Sequence, residues 1–167
     1  FFINGIPVAT VELKTDFTQS VQAAMQQYRM DRRPERKSGG REPLLTFKRG
    51  AVVHFAMSDS DIRMTTKLAG DSTFFLPFNR GNDGAAGNPP GDNGHYPVSY
   101  FWERVLQKDN WLHIFHRFVL QERKEAQDVN GKTYFKEGLI FPRFHQWEGV
   151  TKMIDAVRVE GAGQPYL

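Results

Sequence analysis

The residues with the clearest chemical potential in this chain are Glu12 and Lys14, which stand two positions apart within residues 8–14. This run alternates in the manner of a β-strand, where residues two apart share a face. We therefore expect Glu12 and Lys14 to point the same way, with Val11 and Leu13 directed into a core. A carboxylate beside an ammonium group can hold a divalent cation and a phosphate-stabilising charge together, as metal-dependent phosphodiester cleavage requires. A solvated ion pair on an exposed strand would show the same residues, because Glu-x-Lys is a common tripeptide.

The elements around this pair are predicted from turn and helix signals. Asn4 and Gly5 favour a two-residue hairpin turn before the strand. Apolar residues at helical spacing predict a helix at about residues 17–31, with candidate N-caps at Thr15, Asp16 and Thr18 and an end before Pro34. On that helix, Gln26, Gln27 and Tyr28 could orient a phosphate or the Lys14 side chain, or Tyr28 could be a core aromatic residue.

The rest of the chain predicts more strands and then helices. Short β-rich runs fall at 44–47, 51–57, 62–68 and 73–78. Residues 81–94 are rich in Gly, Asn and Pro and are predicted to be flexible. Beyond them we expect an aromatic helical region at 100–118, a strand at 118–123, a turn at 128–131 and an amphipathic helix at 145–159.

Composition limits the function classes. The chain has no cysteine, which excludes disulfides and thiolate zinc sites and fits an expected cytoplasmic location. Its net charge of +3 permits a nucleic-acid partner. The apolar runs are too short to span a membrane, so no membrane association is expected.

Further candidate contacts come from basic residues and from a late motif. Arg29, Arg32, Arg33, Arg36 and Lys37 could contact a DNA backbone or form a solvated loop. Lys67 could reach a phosphate or be an exposed strand residue. His113 and His116 lie one helical turn apart, where a packed or surface pair is favoured over a zinc site.

The late motif is Phe-Pro-Arg-Phe-His-Gln at residues 141–146. The amide of Gln146 offers the donor and acceptor that match the N6/N7 edge of adenine, and Phe141 could stack on the base. The same residues also suit a helix start with Phe141 and Phe144 in a core.

In this order, the motifs resemble one family, the R (restriction and translocation) subunit of type I restriction enzymes. The resemblance covers almost the whole chain. It rests on Phe-Ile-Asn-Gly-Ile-Pro at 2–7, Val-Glu-Leu-Lys at 11–14, Gln-Tyr-Arg at 27–29, Asp-Arg at 31–32, Val-His-Phe-Ala at 53–56, Met-Thr-Thr-Lys-Leu-Ala-Gly at 64–70, Ser-Thr-Phe-Phe-Leu-Pro-Phe-Asn at 72–79, Gly-Asn-Pro at 87–89, Tyr-Phe-Trp-Glu at 100–103, Asp-Asn-Trp-Leu at 109–112 and the late motif at 141–146.

The resemblance implies an α/β fold with three parts. Residues 1–80 would be a nuclease domain of the PD-(D/E)xK class, a mixed sheet flanked by helices, with its beginning missing. Residues 81–99 would be a flexible linker. Residues 100–167 would be a helical connector and the first helix of a RecA-like ATPase motor, with the phosphate-binding loop soon after Leu167.

The resemblance also implies roles for residues. Glu12 would ligate Mg²⁺ with help from the Leu13 carbonyl, and Lys14 would stabilise the pentacovalent phosphate or position the attacking water. Gln146 would read adenine at the motor, with Arg143 nearby. A further acidic ligand is expected upstream of Phe1, so these residues alone are expected to be inactive.

The parent protein implied by the resemblance would be a Mg²⁺-dependent double-strand DNA endonuclease coupled to ATP-driven translocation. Its partners would be double-stranded DNA and the modification and specificity subunits, and ATP would be bound by the full-length protein. The alternative is a non-catalytic DNA-binding or docking module derived from such a nuclease. Ala24 favours that alternative, because many family members carry Gln four residues before the tyrosine that corresponds to Tyr28.

Overall fold

The turn at Asn4 and Gly5 forms as predicted, with positive φ angles of 49° and 81° at the two residues. The computed structural model describes residues 1–35, 39–92 and 94–161. The turn joins strands β1 (Phe2–Ile3) and β2 (Ile6–Pro7) in a small hairpin. The chain then enters the main sheet.

The main sheet is mixed and has four strands in the order β3-β4-β5-β6. Its strands are β3 (Ala9–Leu13), β4 (Val53–Met57), β5 (Ile62–Thr65) and β6 (Leu76–Pro77). Strands β3 and β4 run parallel, joined through helix α1 (Val21–Met30), whereas the other neighbours are antiparallel. This arrangement agrees with the predicted mixed sheet in an α/β fold.

Both faces of β4 are covered, and every residue of this strand is buried. On one face, Ala56 packs with Val21, Ala24 and Tyr28 of α1. On the other face, Phe55 belongs to a larger cluster with residues from the second half of the chain. Burial on both sides fits the sequence of β4, in which every side chain except His54 is apolar.

The second half of the chain supplies helices and a hairpin. It contains a π-helical turn at Phe101–Val105, helix α2 (Lys108–Arg117), strands β7 (Leu120–Gln127) and β8 (Thr133–Ile140), and helix α3 (Phe144–Glu160). The predicted helical region, the strand after residue 118, the turn at 128–131 and the last helix are all present, although the sequence did not predict β8.

Aromatic rings connect this second half to the sheet. The Phe55 ring lies 5.3 Å from Phe78, 4.9 Å from Phe101 and 5.8 Å from Phe141, measured between centroids. Phe144 and Trp147 at the start of α3 belong to the same cluster. Edge-to-face contacts of this kind add to the free energy gained from burial.

Several local predictions are wrong, and the run at 73–78 is a strand only at Leu76–Pro77. Residues 44–47 form turns rather than a strand. Helix α1 begins after Ser20, so Thr15, Asp16 and Thr18 do not cap it. Leu13 is 65% exposed instead of buried, because alternation indicates the face of a strand but not how far the covering layer extends.

The segment predicted as a linker is hydrogen-bonded to the loop between β4 and β5 and to the residues that follow β6. The Asn88 amide donates to the Ser60 carbonyl and to Asn79 Oδ1, at 2.9 and 3.0 Å, and the Arg80 N–H donates to Asn88 Oδ1. The division into three parts remains a prediction. In the described ranges, no helix has the length and apolar character needed to cross a membrane.

Candidate functional site

Glu12 in β3 and Lys14, directly after this strand, lie on the same face, as the alternation predicted. The Lys14 ammonium lies 3.3 Å from Glu12 Oε1, and the side chains are only 17% and 16% exposed. The backbone N–H of Lys14 donates to the backbone carbonyl of Met57, which extends the pairing with β4 by one residue. The pair therefore sits on rigid backbone and is largely shielded from water, unlike a solvated surface ion pair.

Helix α1 holds the lysine in place. Lys14 Nζ donates a hydrogen bond to Gln27 Oε1 at 2.6 Å. Hydrogen bonds from a charged donor are stronger than neutral ones, so this contact fixes where the ammonium group points. Of the two proposed roles for the helix residues, orientation of Lys14 is the one that Gln27 fulfils here.

A second cation approaches the other side of the Glu12 carboxylate. Arg32 follows α1, and its Nε lies 3.6 Å from Glu12 Oε2 with the side chain 53% exposed. This distance is beyond a good hydrogen bond, so the contact is electrostatic. Arg33 is held elsewhere: it donates to the Arg29 carbonyl and lies 3.8 Å from Asp71.

Glu12, Arg32 and Arg33 line an open cleft of about 800 Å³ beside β3 and the end of α1. Its walls carry both signs of charge and some apolar surface, from Thr10, Val11, Glu12, Tyr28, Met30, Asp31, Arg32, Arg33, Glu35, Glu42, Leu44 and Leu45. The volume is large enough to admit a phosphodiester segment.

The floor of the cleft is a buried polar chain. The Tyr28 hydroxyl lies 2.8 Å from Thr10 Oγ1, which lies 2.7 Å from His54 Nδ1. Burial raises the pKa of Tyr28, against the effect of its hydrogen bond with Thr10, and lowers the pKa of His54 to about 4. The side chains of Tyr28, Thr10 and His54 are therefore neutral at pH 7 and place no extra charge beneath Glu12.

Thr10 and His54 were not identified as site residues from the sequence. Thr10 had a usable signal, because it is two positions before Glu12 in the same alternating strand. His54 had none, because its contact with Thr10 spans 44 residues along the chain.

The donors fit a magnesium ion in part. Mg²⁺ in proteins uses one or two carboxylates together with water and substrate phosphates. Glu12 provides the carboxylate beside Lys14, and Asp31, Glu35 and Glu42 also line the cleft. Within residues 1–35, 39–92 and 94–161, no three or more His, Cys, Asp or Glu side chains come together as a metal cluster.

Arg29 and Lys67, which were predicted to contact DNA or a phosphate, lie against other parts of the protein. The Arg29 guanidinium donates to the Thr73 carbonyl and lies over the Phe75 ring. Lys67 is exposed, with its ammonium 5.1 Å from the Phe47 ring centroid. Arg36 and Lys37 lie outside the described residues.

The predicted nucleotide contacts lie at the start of α3, away from the cleft. Gln146 is exposed, and its Oε1 accepts a hydrogen bond from the Arg143 N–H at 2.9 Å, which caps the helix. Phe141 is 4% exposed and packs in the aromatic cluster, so its ring is occupied by core contacts. Phe141 and Phe144 are therefore core residues, as the alternative of a helix start with both rings in a core predicts.

The two candidate metal-binding histidines are packed or exposed side chains. The ring of His113 lies 5.4 Å from that of Phe118, and His116 is exposed. The favoured interpretation, a packed or surface pair, agrees with this arrangement.

The fold and the cleft define an α/β protein with an acid–lysine pair on a sheet strand. Residues 1–73 match the family described as type I restriction enzyme R protein N terminus, so this part of the chain is identified as such a region. The match confirms the resemblance over residues 1–73, which include β3, α1, β4 and β5. No curated protein and no solved structure matches the chain.

Proposed function

We propose that the cleft at Glu12 and Lys14 is the phosphodiester-cleaving centre of a DNA endonuclease. The observation that carries this proposal is the pair itself: a shielded carboxylate and ammonium 3.3 Å apart on one strand. The family match to an R protein N terminus supports a restriction context for the reaction. The substrate would be double-stranded DNA, with Arg32 and Arg33 toward its backbone.

Each residue of the pair has a distinct task. The Lys14 ammonium stabilises the additional negative charge on the phosphate as the water attacks, or orients that water. Gln27 keeps the ammonium at this position through the 2.6 Å hydrogen bond. The Glu12 carboxylate, with the Leu13 carbonyl beside it, would hold Mg²⁺. When bound, the ion would polarise the phosphate and lower the pKa of a water molecule.

The wider activity extends the same proposal to a parent protein. There, cleavage would be coupled to ATP-driven DNA translocation by a RecA-like motor, and the modification and specificity subunits would complete the complex. Gln146 and Arg143 would contact the nucleotide from the start of α3. For Gln146 this requires exchange of its own capping hydrogen bond for one to adenine, which its exposure allows.

A second candidate is a non-catalytic DNA-binding or docking module. The observation in its favour is the donor set, because the described part of the cleft brings one carboxylate to the Lys14 ammonium rather than a cluster of acids. Such a module would use Arg32 and Arg33 on a DNA backbone without cutting it.

The test uses the intact R protein within its restriction complex. Glu12→Ala or Lys14→Ala should abolish cutting and leave DNA-stimulated ATP hydrolysis unchanged. Lys124→Ala is the matched control, because Lys124 is 68% exposed on β7 and pairs with Glu122. Normal cutting by both cleft variants would contradict the nuclease proposal. Mg²⁺ binding that is lost in Glu12→Gln would support the enzyme. The non-catalytic module would bind no Mg²⁺.

A further inference from the structure

The Glu12 carboxylate has two cationic neighbours that are held very differently. Lys14 is on the same rigid strand and is fixed by Gln27. Arg32 comes from the segment after α1, is half-exposed, and reaches Glu12 through a single long contact of 3.6 Å. One cation is therefore part of the framework, while the other can leave with little loss of free energy.

The position of Arg32 conflicts with a metal ion on the same carboxylate. A guanidinium 3.6 Å from Glu12 Oε2 supplies the positive charge that a divalent cation would otherwise provide. A divalent cation on the Glu12 carboxylate would repel both neighbouring cations. Because Lys14 is fixed by Gln27 and Arg32 is held only by the 3.6 Å contact, binding of the ion favours release of the arginine.

A DNA phosphate in the cleft would accept hydrogen bonds from the released guanidinium. Its planar set of N–H donors matches a phosphate in two parallel hydrogen bonds, and Arg32 already lines the cleft wall. Arg33 is a weaker candidate for such exchange, because it is held by the Arg29 carbonyl and by Asp71.

We propose that Arg32 is an exchangeable counter-ion of Glu12, which neutralises the carboxylate in the metal-free protein and transfers to a DNA phosphate when a divalent cation binds. Arg32 is thereby a positioning residue that couples metal binding to DNA binding. This inference rests on the proposed nuclease function of the cleft. It extends that function by naming the residue through which the two ligands influence one another.

The first experiment reads the exchange without any metal. The affinity of the chain for a labelled DNA duplex is measured by fluorescence anisotropy in EDTA for four forms: wild type, Glu12→Gln, Arg32→Gln and the double variant. Glu12→Gln should release Arg32 and so tighten DNA binding. This gain in affinity should be about two- to five-fold larger in the protein with Arg32 than in the protein with Arg32→Gln. The same cycle with Arg33→Gln is the matched control, in which the effect of Glu12→Gln should persist.

The second experiment reads the metal side. Titration of the intact R protein with Mn²⁺, followed by the electron paramagnetic resonance signal of the free ion, should show binding that is lost in Glu12→Gln. Arg32→Gln should strengthen that binding by about two- to five-fold, and Arg33→Gln should leave it unchanged. All these side chains are at a cleft surface, so the variants should fold.

The outcomes separate the inference from the function on which it rests. Mn²⁺ binding that depends on Glu12 but is unaffected or weakened by Arg32→Gln overturns the counter-ion role and leaves the nuclease proposal in place. An equal effect of Glu12→Gln with and without the Arg32→Gln substitution overturns it as well. If no form shows Glu12-dependent Mn²⁺ binding, or if no form binds DNA, the proposed function fails and the counter-ion role fails with it.

Discussion

Replacement of His54 by Gln should remove part of the acid sensitivity of the fold. His54 is 2% exposed, and burial lowers its pKa from an ordinary value of 6.5 to about 4. Above about pH 6.5 the ring is neutral in both the folded and the unfolded chain, so it adds no pH dependence. Below that pH the unfolded chain takes up a proton that the folded chain excludes, and stability falls as the pH falls toward 4.

The size of the effect follows from the two pKa values. Between about pH 8 and about pH 5.5, the proton bound by the unfolded chain lowers the free energy of unfolding by about 1.4 kcal/mol. At still lower pH the loss from this one residue levels off at about 3 kcal/mol. His54→Gln keeps a polar group near Thr10 Oγ1 but cannot titrate, so this component should vanish.

Urea denaturation at the two pH values measures the effect directly. The difference in free energy of unfolding between wild type and His54→Gln should change by about 1.4 kcal/mol from about pH 8 to about pH 5.5. His116→Gln is the matched control, because His116 is exposed and has no contact with the buried Tyr28–Thr10–His54 side chains. A difference between wild type and His54→Gln that is the same at both pH values would refute the reasoning.

Two further predictions concern Gln27 and Phe141. Gln27→Leu removes the 2.6 Å hydrogen bond that directs the Lys14 ammonium. It should lower the cleavage rate of the intact complex by about 10- to 100-fold with DNA affinity unchanged. Gln27→Glu should restore most of the rate, and Gln26→Leu, at an exposed position of α1, should have no effect. Equal loss in the Gln26 and Gln27 variants would argue against a specific role. Phe141→Ala should lower the free energy of unfolding by about 3–5 kcal/mol in urea denaturation, whereas a ring used only to stack on a base would leave stability nearly unchanged.

The strand that carries Glu12 could be predicted because its signal is local. Alternation placed Glu12 and Lys14 on one face, and the 3.3 Å separation confirms it. The last helix was predicted at 145–159 and is found at Phe144–Glu160, since its apolar spacing is also local. Periodicity within a single element carries this information whatever the rest of the chain does.

The start of α1 could not be predicted, because a distant contact decides it. The Thr15 hydroxyl and the Asp16 N–H both donate to Asp59 Oδ2, across more than 40 residues of sequence. These bonds hold residues 15–16 outside the helix, which begins at Val21, and Phe17 is left 94% exposed. Helix propensity alone would have extended the helix over this segment.

The segment at 44–47 shows the limit of β-propensity. The Ala51 N–H donates to the Leu44 carbonyl at 2.8 Å, so the chain closes a compact loop here instead of joining the sheet. A Cβ on Gly50 would lie 2.1 Å from the Leu44 oxygen, and only glycine allows this approach. A β-rich run becomes a strand only where a partner edge is available, which the sequence does not show.

The aromatic cluster around Phe55 has a consequence for recombination between related genes. Its rings come from both sides of the glycine-rich segment at 81–94: Phe55 and Phe78 from before it, Phe101 and Phe144 from after it. A crossover in that segment looks harmless in sequence but would join two half-cores that never packed together. Chimeras with crossovers there should therefore survive only between parents with matching ring sizes, so the two halves are expected to be inherited together.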